Sequence, residues 1–77
     1  MDNEIDITIG FNLHNMRKAR GLTQAQLGDA CEDKITSQQI SKYEAGTNSI
    51  SCTRLVEFAG ILKFKLLDFF DGVKRHE

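Results

Sequence analysis

Apolar positions along the chain recur at helical rather than strand spacing. Ile9, Leu13, Met16 and Arg20 stand at i, i+4, i+7 and i+11, one face of a helix. They predict a first helix over Thr8–Arg20, capped by the Thr8 hydroxyl and stopped by Gly21, since glycine tolerates the left-handed conformation past a helix end. A second helix follows from Thr23 to about Cys31. Thr23 and Gln26 have capping-box spacing: the hydroxyl accepts a backbone N–H, and the glutamine reaches back to the threonine N–H. Leu22 and Leu27 stand where a hydrophobic staple would put them. Leu27, Ala30 and Cys31 make the expected buried face.

Glu32, Asp33, Lys34 and Ile35 read as a short polar turn around one apolar residue. Thr36 and Gln39 repeat the capping-box spacing and open a third helix, to about Glu44, with Ile40 and Tyr43 inward and Gly46 ending it. Thr47, Asn48 and Ser49 form a loop. Ser51 caps a fourth helix with the buried stripe Leu55, Phe58, Ala59 and Leu62. A fifth, short helix over Leu66–Phe70 carries Leu66, Phe69 and Phe70 and ends at Asp71 and Gly72; Val73–Glu77 is expected to fray. No segment alternates with period two, so the expected class is all-α with five helices.

Length makes this one domain: 77 residues with a core of about residues 8–72. Cys31 and Cys52 lack partners at metal-ligand spacing and lie within apolar patterns. They read as reduced core or near-core thiols, the usage of a cytoplasmic protein. The first six residues are acidic, unlike a secretory leader, and no run is long enough to span a membrane. A net charge of −1 announces no nucleic-acid partner. The charges are segregated, however. Asp2, Glu4 and Asp6 lie at one end and Asp68, Asp71 and Glu77 at the other; Arg17, Lys18, Arg20, Lys34, Lys42 and Arg54 lie between. Taken alone, this is also what an ordinary mixed surface would give. No carboxylate pair, Ser–His or Cys–His arrangement or phosphate loop is present, so neither an enzyme nor a cofactor site is expected; His14 and His76 read as surface residues.

Two capped helices joined by a short turn have helix-turn-helix geometry: the first holds the second against the core, and the second presents its outer face to a DNA major groove. The residues that fill this frame are Gly21, Leu22, Thr23 and Gln24, then Leu27, then the run Gln38–Asn48, which contains Ile40-Ser41-Lys42-Tyr43-Glu44-Ala45-Gly46. Together with Phe69-Phe70-Asp71 they resemble the Cro/CI-like, XRE-type phage-repressor group, including a bacterial regulator branch of it. The likeness runs from Ile9 to Gly72. It implies a lambda-repressor-like fold with the motif on helices two and three. It also implies a transcriptional regulator, expected to repress, on a palindromic double-stranded operator. A domain this small contacts few base pairs, so a homodimer is expected, and the length leaves no room for a ligand-sensing domain. Cys31–Ile35 departs from the group by about two extra residues; a further half-turn of helix two or a looser turn would absorb them.

Roles follow from helical phase and from the resemblance. Ser37, Gln38, Ser41 and Lys42 are the expected base-edge contacts, Gln38 foremost because its amide can bond adenine at two atoms. A merely solvated polar face is the other reading. Gln39 looks committed to its capping box. The resemblance implies phosphate contacts for Gln24, Thr47 and Asn48, with turn chemistry as the other reading for the last two. It also implies a structural salt bridge between Arg17 and Glu44. Apolar residues left over on helices four and five, and Ile7 with Phe11 on helix one, suggest a dimer face. A protein-interaction module on the same fold, an antitoxin or anti-repressor, is the competing function. It would place aromatic or aliphatic residues, not polar ones, on the outer face of helix three.

Overall fold

The computed structural model describes residues 3–74, so His76 and the terminal acids Asp2 and Glu77 lie outside the described residues. Four α-helices are present among them: α1 Glu4–Ala19, α2 Gln24–Ala30, α3 Ser37–Ala45 and α4 Cys52–Leu62. The predicted fifth helix, Leu66–Phe70, is a 3-10 helix. No described residue is in a strand.

α1 begins a turn earlier than its apolar pattern predicts. Thr8 is therefore an interior residue, and Asn3 precedes the helix without a side-chain cap bond. Two of the acids at the N-terminal end, Glu4 and Asp6, are first-turn residues, where negative charge complements the helix dipole. Asp6 also accepts a hydrogen bond from the Ser49 hydroxyl at 2.7 Å, and Asn3 donates to the Gly46 carbonyl at 3.2 Å. These bonds fasten the start of α1 to the end of α3 and the loop that follows it.

α1 meets the rest of the fold along two stripes. Ile9, Leu13 and Met16 enter the apolar core, whereas Arg20, placed with them by phase, is exposed. Its guanidinium caps α4 instead, through the Leu62 carbonyl at 2.6 Å and the Lys63 carbonyl at 3.1 Å, and lies 4.2 Å from the Phe64 ring centroid. The second stripe is Ile7, Gly10, His14 and Arg17, spaced i, i+3, i+7 and i+10, and it faces α3. Gly10 lets the backbones close: a Cβ there would collide with the Tyr43 carbonyl and lie 2.8 Å from that of Glu44.

α2 has the predicted capping box. The Gln26 N–H donates to the Thr23 hydroxyl at 3.0 Å, and the Thr23 N–H donates to the Gln26 amide oxygen at 2.8 Å. Leu27 and Cys31 are buried as predicted, but Ala30 is exposed and Gly28 takes the inner position. The long turn is a loose one rather than extra helix. α2 stops at Ala30, and the Gly28 carbonyl accepts from both Cys31 N–H at 3.3 Å and Ile35 N–H at 3.1 Å. Thr36 caps α3 by accepting the Gln39 N–H at 3.2 Å; the return bond from the Gln39 side chain is not made. Gly46 ends α3 at φ 77°, a conformation that favours glycine. Ser51 caps α4 through the Arg54 N–H at 3.1 Å.

The core is Ile9, Leu13, Met16, Leu27, Cys31, Ile40, Leu55, Phe58, Leu62 and Phe69. Cys52, expected in or near it, is exposed at the first position of α4. Leu66 is exposed too: a five-residue 3-10 helix makes little more than one turn, and Phe69 alone on it is fully buried. Phe70 is half-buried against the core. Asn12 of α1 holds this segment, donating to the carbonyls of Phe69 at 2.8 Å and Asp71 at 2.9 Å.

Candidate nucleic-acid interface

A buried carboxylate organises the inner side of the two-helix motif. Glu44, near the end of α3, accepts Arg17 Nε at 2.6 Å and Nη2 at 3.1 Å; the two side chains are only 6% and 7% exposed. His14 Nδ1 lies 2.9 Å from the same carboxylate, and Gln24 Nε2 donates to it at 3.1 Å. Arg17 also donates to the Leu22 carbonyl at 2.7 Å. One carboxylate thus joins α1, α2 and α3. Desolvation pushes the Glu44 carboxyl up, but hydrogen bonds from Arg17, His14 and Gln24 outweigh it and hold the group below its ordinary value. His14, expected on the surface, is a member of this cluster. The signal was its place one turn before Arg17, on the face that Gly10 brings against α3.

With its inner side anchored, α3 turns a polar stripe outward. Ile40 is fully buried and Tyr43 sets its ring edge on Phe58, with centroids 6.1 Å apart. Gln38, Ser41, Lys42 and Ala45, at i, i+3, i+4 and i+7, are exposed, and Ser37 is half-buried beside them. Every side chain on this stripe is small, polar or cationic, and two of the types present, glutamine and lysine, bond base edges in a major groove.

The flanking positions differ in what they have left to offer. The Gln24 amide spends one hydrogen on Glu44 and keeps a second. Thr47 spends both of its donors, the hydroxyl and the N–H, on the Lys42 carbonyl at 3.1 Å each. Asn48 is exposed next to it. The basic middle of the chain also divides. Arg17, Arg20 and Arg54 are bound to internal partners, while Lys18, Lys34 and Lys42 are exposed.

A further pair was not foreseen: Arg54 and Glu57, one turn apart on α4, lie 2.7 Å from each other. Glu57 also accepts the Glu32 N–H from the long turn at 2.6 Å, the chief cause that holds its carboxyl below the ordinary value. The i, i+3 charge spacing was the signal in the sequence. Among the described residues no group of three or more His, Cys, Asp or Glu is placed to hold a metal ion, and no helix is long and apolar enough to cross a membrane.

A helix-turn-helix family profile matches residues 13–69. An HTH-type transcriptional regulator of Rickettsia conorii is 38% identical over 71 residues, covering 92% of this chain and 55% of that protein. One from Sinorhizobium medicae is 39% identical over 69 residues, covering 90% of this chain and 48% of its own length. The chain thus spans about half the length of these curated relatives. Among solved structures, the DNA-binding domain of BldD superposes with a TM-score of 0.80 over 91% of this chain and 99% of that one, at 20% identity, a likeness of fold.

Proposed function

The chain belongs to the XRE-type helix-turn-helix family, and from that premise we propose that it binds double-stranded DNA in a sequence-specific way and regulates transcription, as a repressor in the cytoplasm. The observation that carries this reading is the outward stripe of α3 on a helix whose opposite side is locked by Ile40 and Glu44. In this reading α3 lies in the major groove. Gln38 and Lys42 bond base edges, with Ser37 and Ser41 close enough to add hydroxyl contacts. Gln24 gives its second amide hydrogen to a phosphate, and Asn48 does the same from the loop after α3. Thr47, its donors spent, shapes that loop rather than touching the backbone of the duplex. The polar character of the stripe favours this over an antitoxin-like protein interface.

Two copies reading a palindromic operator would double the few base contacts one domain can make. Exposed apolar side chains are available for such pairing: Phe11 at 61% and Ile7 at 48% on α1, and Leu67 at 78% and Val56 at 57% near the C-terminal end. The test of the central reading is selection from a random duplex pool, followed by binding of Gln38→Ala. The variant should lose about 1–3 kcal/mol on the selected duplex and relax the preference at one base pair. Equal loss on every duplex would refute the base-reading role of Gln38. Failure to enrich any sequence would refute the function.

A further inference from the structure

The turn between α2 and α3 contains Glu32, Asp33 and Lys34, all exposed, and none of the three side chains reaches the core. A turn of this kind has no intrinsic rigidity, yet it sets the direction in which α3 departs. It is held from both ends by groups outside it. At its far end Ile35 N–H returns to the Gly28 carbonyl at 3.1 Å. At its near end Glu32 N–H donates to Glu57 Oε2 at 2.6 Å. The other oxygen of Glu57 takes Arg54 Nη1 at 2.7 Å from one turn earlier on the same helix. One carboxylate on α4 therefore holds the turn directly, and its arginine holds the carboxylate in place.

We infer that Glu57 is a positioning residue for DNA recognition: it clasps the long turn to α4 and so fixes the angle at which α3 meets a duplex. The inference rests on the reading role proposed for α3. Glu57 acts through α3 and not by touching DNA. The cleft it borders is shared with Glu32 and Asp33, and the one guanidinium there is matched by Glu57 itself. A phosphate approaching it would meet net negative charge. The clasp also accounts for an otherwise idle pair, since neither Arg54 nor Glu57 takes part in the Glu44 cluster.

The test is Glu57→Gln, which keeps the size but can no longer offer one oxygen to the Glu32 N–H and another to Arg54. Arg54→Met is the second variant; it leaves Glu57 able to accept the Glu32 N–H and removes the guanidinium that steadies its other oxygen. Each is assayed at a temperature where circular dichroism shows it fully folded. The readout is the ratio of affinities for the selected duplex and a scrambled duplex. We expect the ratio to fall by about tenfold in Glu57→Gln, comparable with loss of one base contact, and by less in Arg54→Met. Affinity for the scrambled duplex should not change, a pattern that simple destabilisation would not give. A wild-type ratio in folded Glu57→Gln overturns the inference; if that variant does not fold, a wild-type ratio in Glu57→Asp, whose shorter side chain draws the carboxylate away from the Glu32 N–H, does so. Gln38→Ala in the same experiment separates the two ideas: if it is neutral, the reading role of α3 fails, whatever Glu57 does.

Discussion

Replacing Glu44 with alanine strikes the point where three helices meet. The carboxylate and its Arg17 partner are 6% and 7% exposed, so alanine strands a guanidinium in a place water barely reaches. Breaking a buried pair from one side costs about 3–5 kcal/mol, because the remaining charge is left without a counterion. Arg17 keeps its bond to the Leu22 carbonyl, which argues for the lower part of that range. At roughly 0.05–0.15 kcal/mol per residue, a chain of this length has a total stability of about 4–12 kcal/mol. The substitution therefore removes a large share of it. A loss of about 3 kcal/mol lowers the melting temperature of a domain this size by about 12–24 °C. Urea and thermal denaturation followed by circular dichroism measure both quantities. A double variant, Arg17→Met with Glu44→Leu, should recover most of the loss, since a packed apolar pair replaces a buried ionic one at little net cost. The reasoning is refuted if Glu44→Ala melts within about 2 °C of the wild type, less than the shift expected for 1 kcal/mol, or if the double variant is as unstable as the single one.

Three further outcomes are expected. Because the Glu44 and Glu57 carboxyls are both held below their ordinary value of 4.5, the stability they contribute is fully present above that pH. It is lost as pH falls through their folded values; a melting temperature that stays flat from neutrality into that acid range would contradict the assignment. Gly10→Ala drives a methyl group into the Tyr43 and Glu44 carbonyls and should cost at least the about 1–3 kcal/mol of ordinary overpacking; an unchanged urea midpoint would mean that α1 and α3 can part without loss. Sedimentation at tens of micromolar should give a dimer that Leu67→Glu or Phe11→Glu dissociates, and a clean monomer that binds palindromic DNA only one molecule at a time would exclude the paired model.

The sequence disclosed the elements whose signals are local. Thr23 with Gln26, Thr36 and Ser51 each announce a helix start through a hydroxyl at the right offset from an N–H, and Gly46 announces an end; all four do so, though Thr36 lacks the return bond expected from Gln39. What escaped was carried by residues without an apolar signature. Beyond Ile7, the face of α1 against α3 is made by a glycine, a histidine and an arginine, so hydrophobic spacing passes over most of it, and the closeness of the two helices depends on a side chain that is absent. The first turn of α1 escaped because Glu4 and Asp6 lower its mean hydropathy while favouring its helix end. The short C-terminal element could not be assigned its period, because over five residues a repeat of 3.0 and one of 3.6 differ by less than one position. Arg20 had the phase of the core stripe but a side chain long enough to leave it for the end of α4.

The outer face of α3 was legible for a different reason: it is what remains once the anchors are assigned. A nine-residue helix is marginal in water by itself, so its order must come from outside. Its anchors are Ile40 in the core, Tyr43 on Phe58, Glu44 on α1 and α2, the Thr36 cap and the Gly46 stop. The outward Gln38, Ser41 and Lys42 have no share in that work. This division frees the outer face from the needs of the fold, and it concentrates the needs of the fold on a few polar atoms. In the reading proposed for α3, sequence preference can then change through Gln38 or Ser41 at little cost in stability, whereas a change at Glu44 or Gly10 acts on both, because it moves the whole helix that carries the proposed reading face.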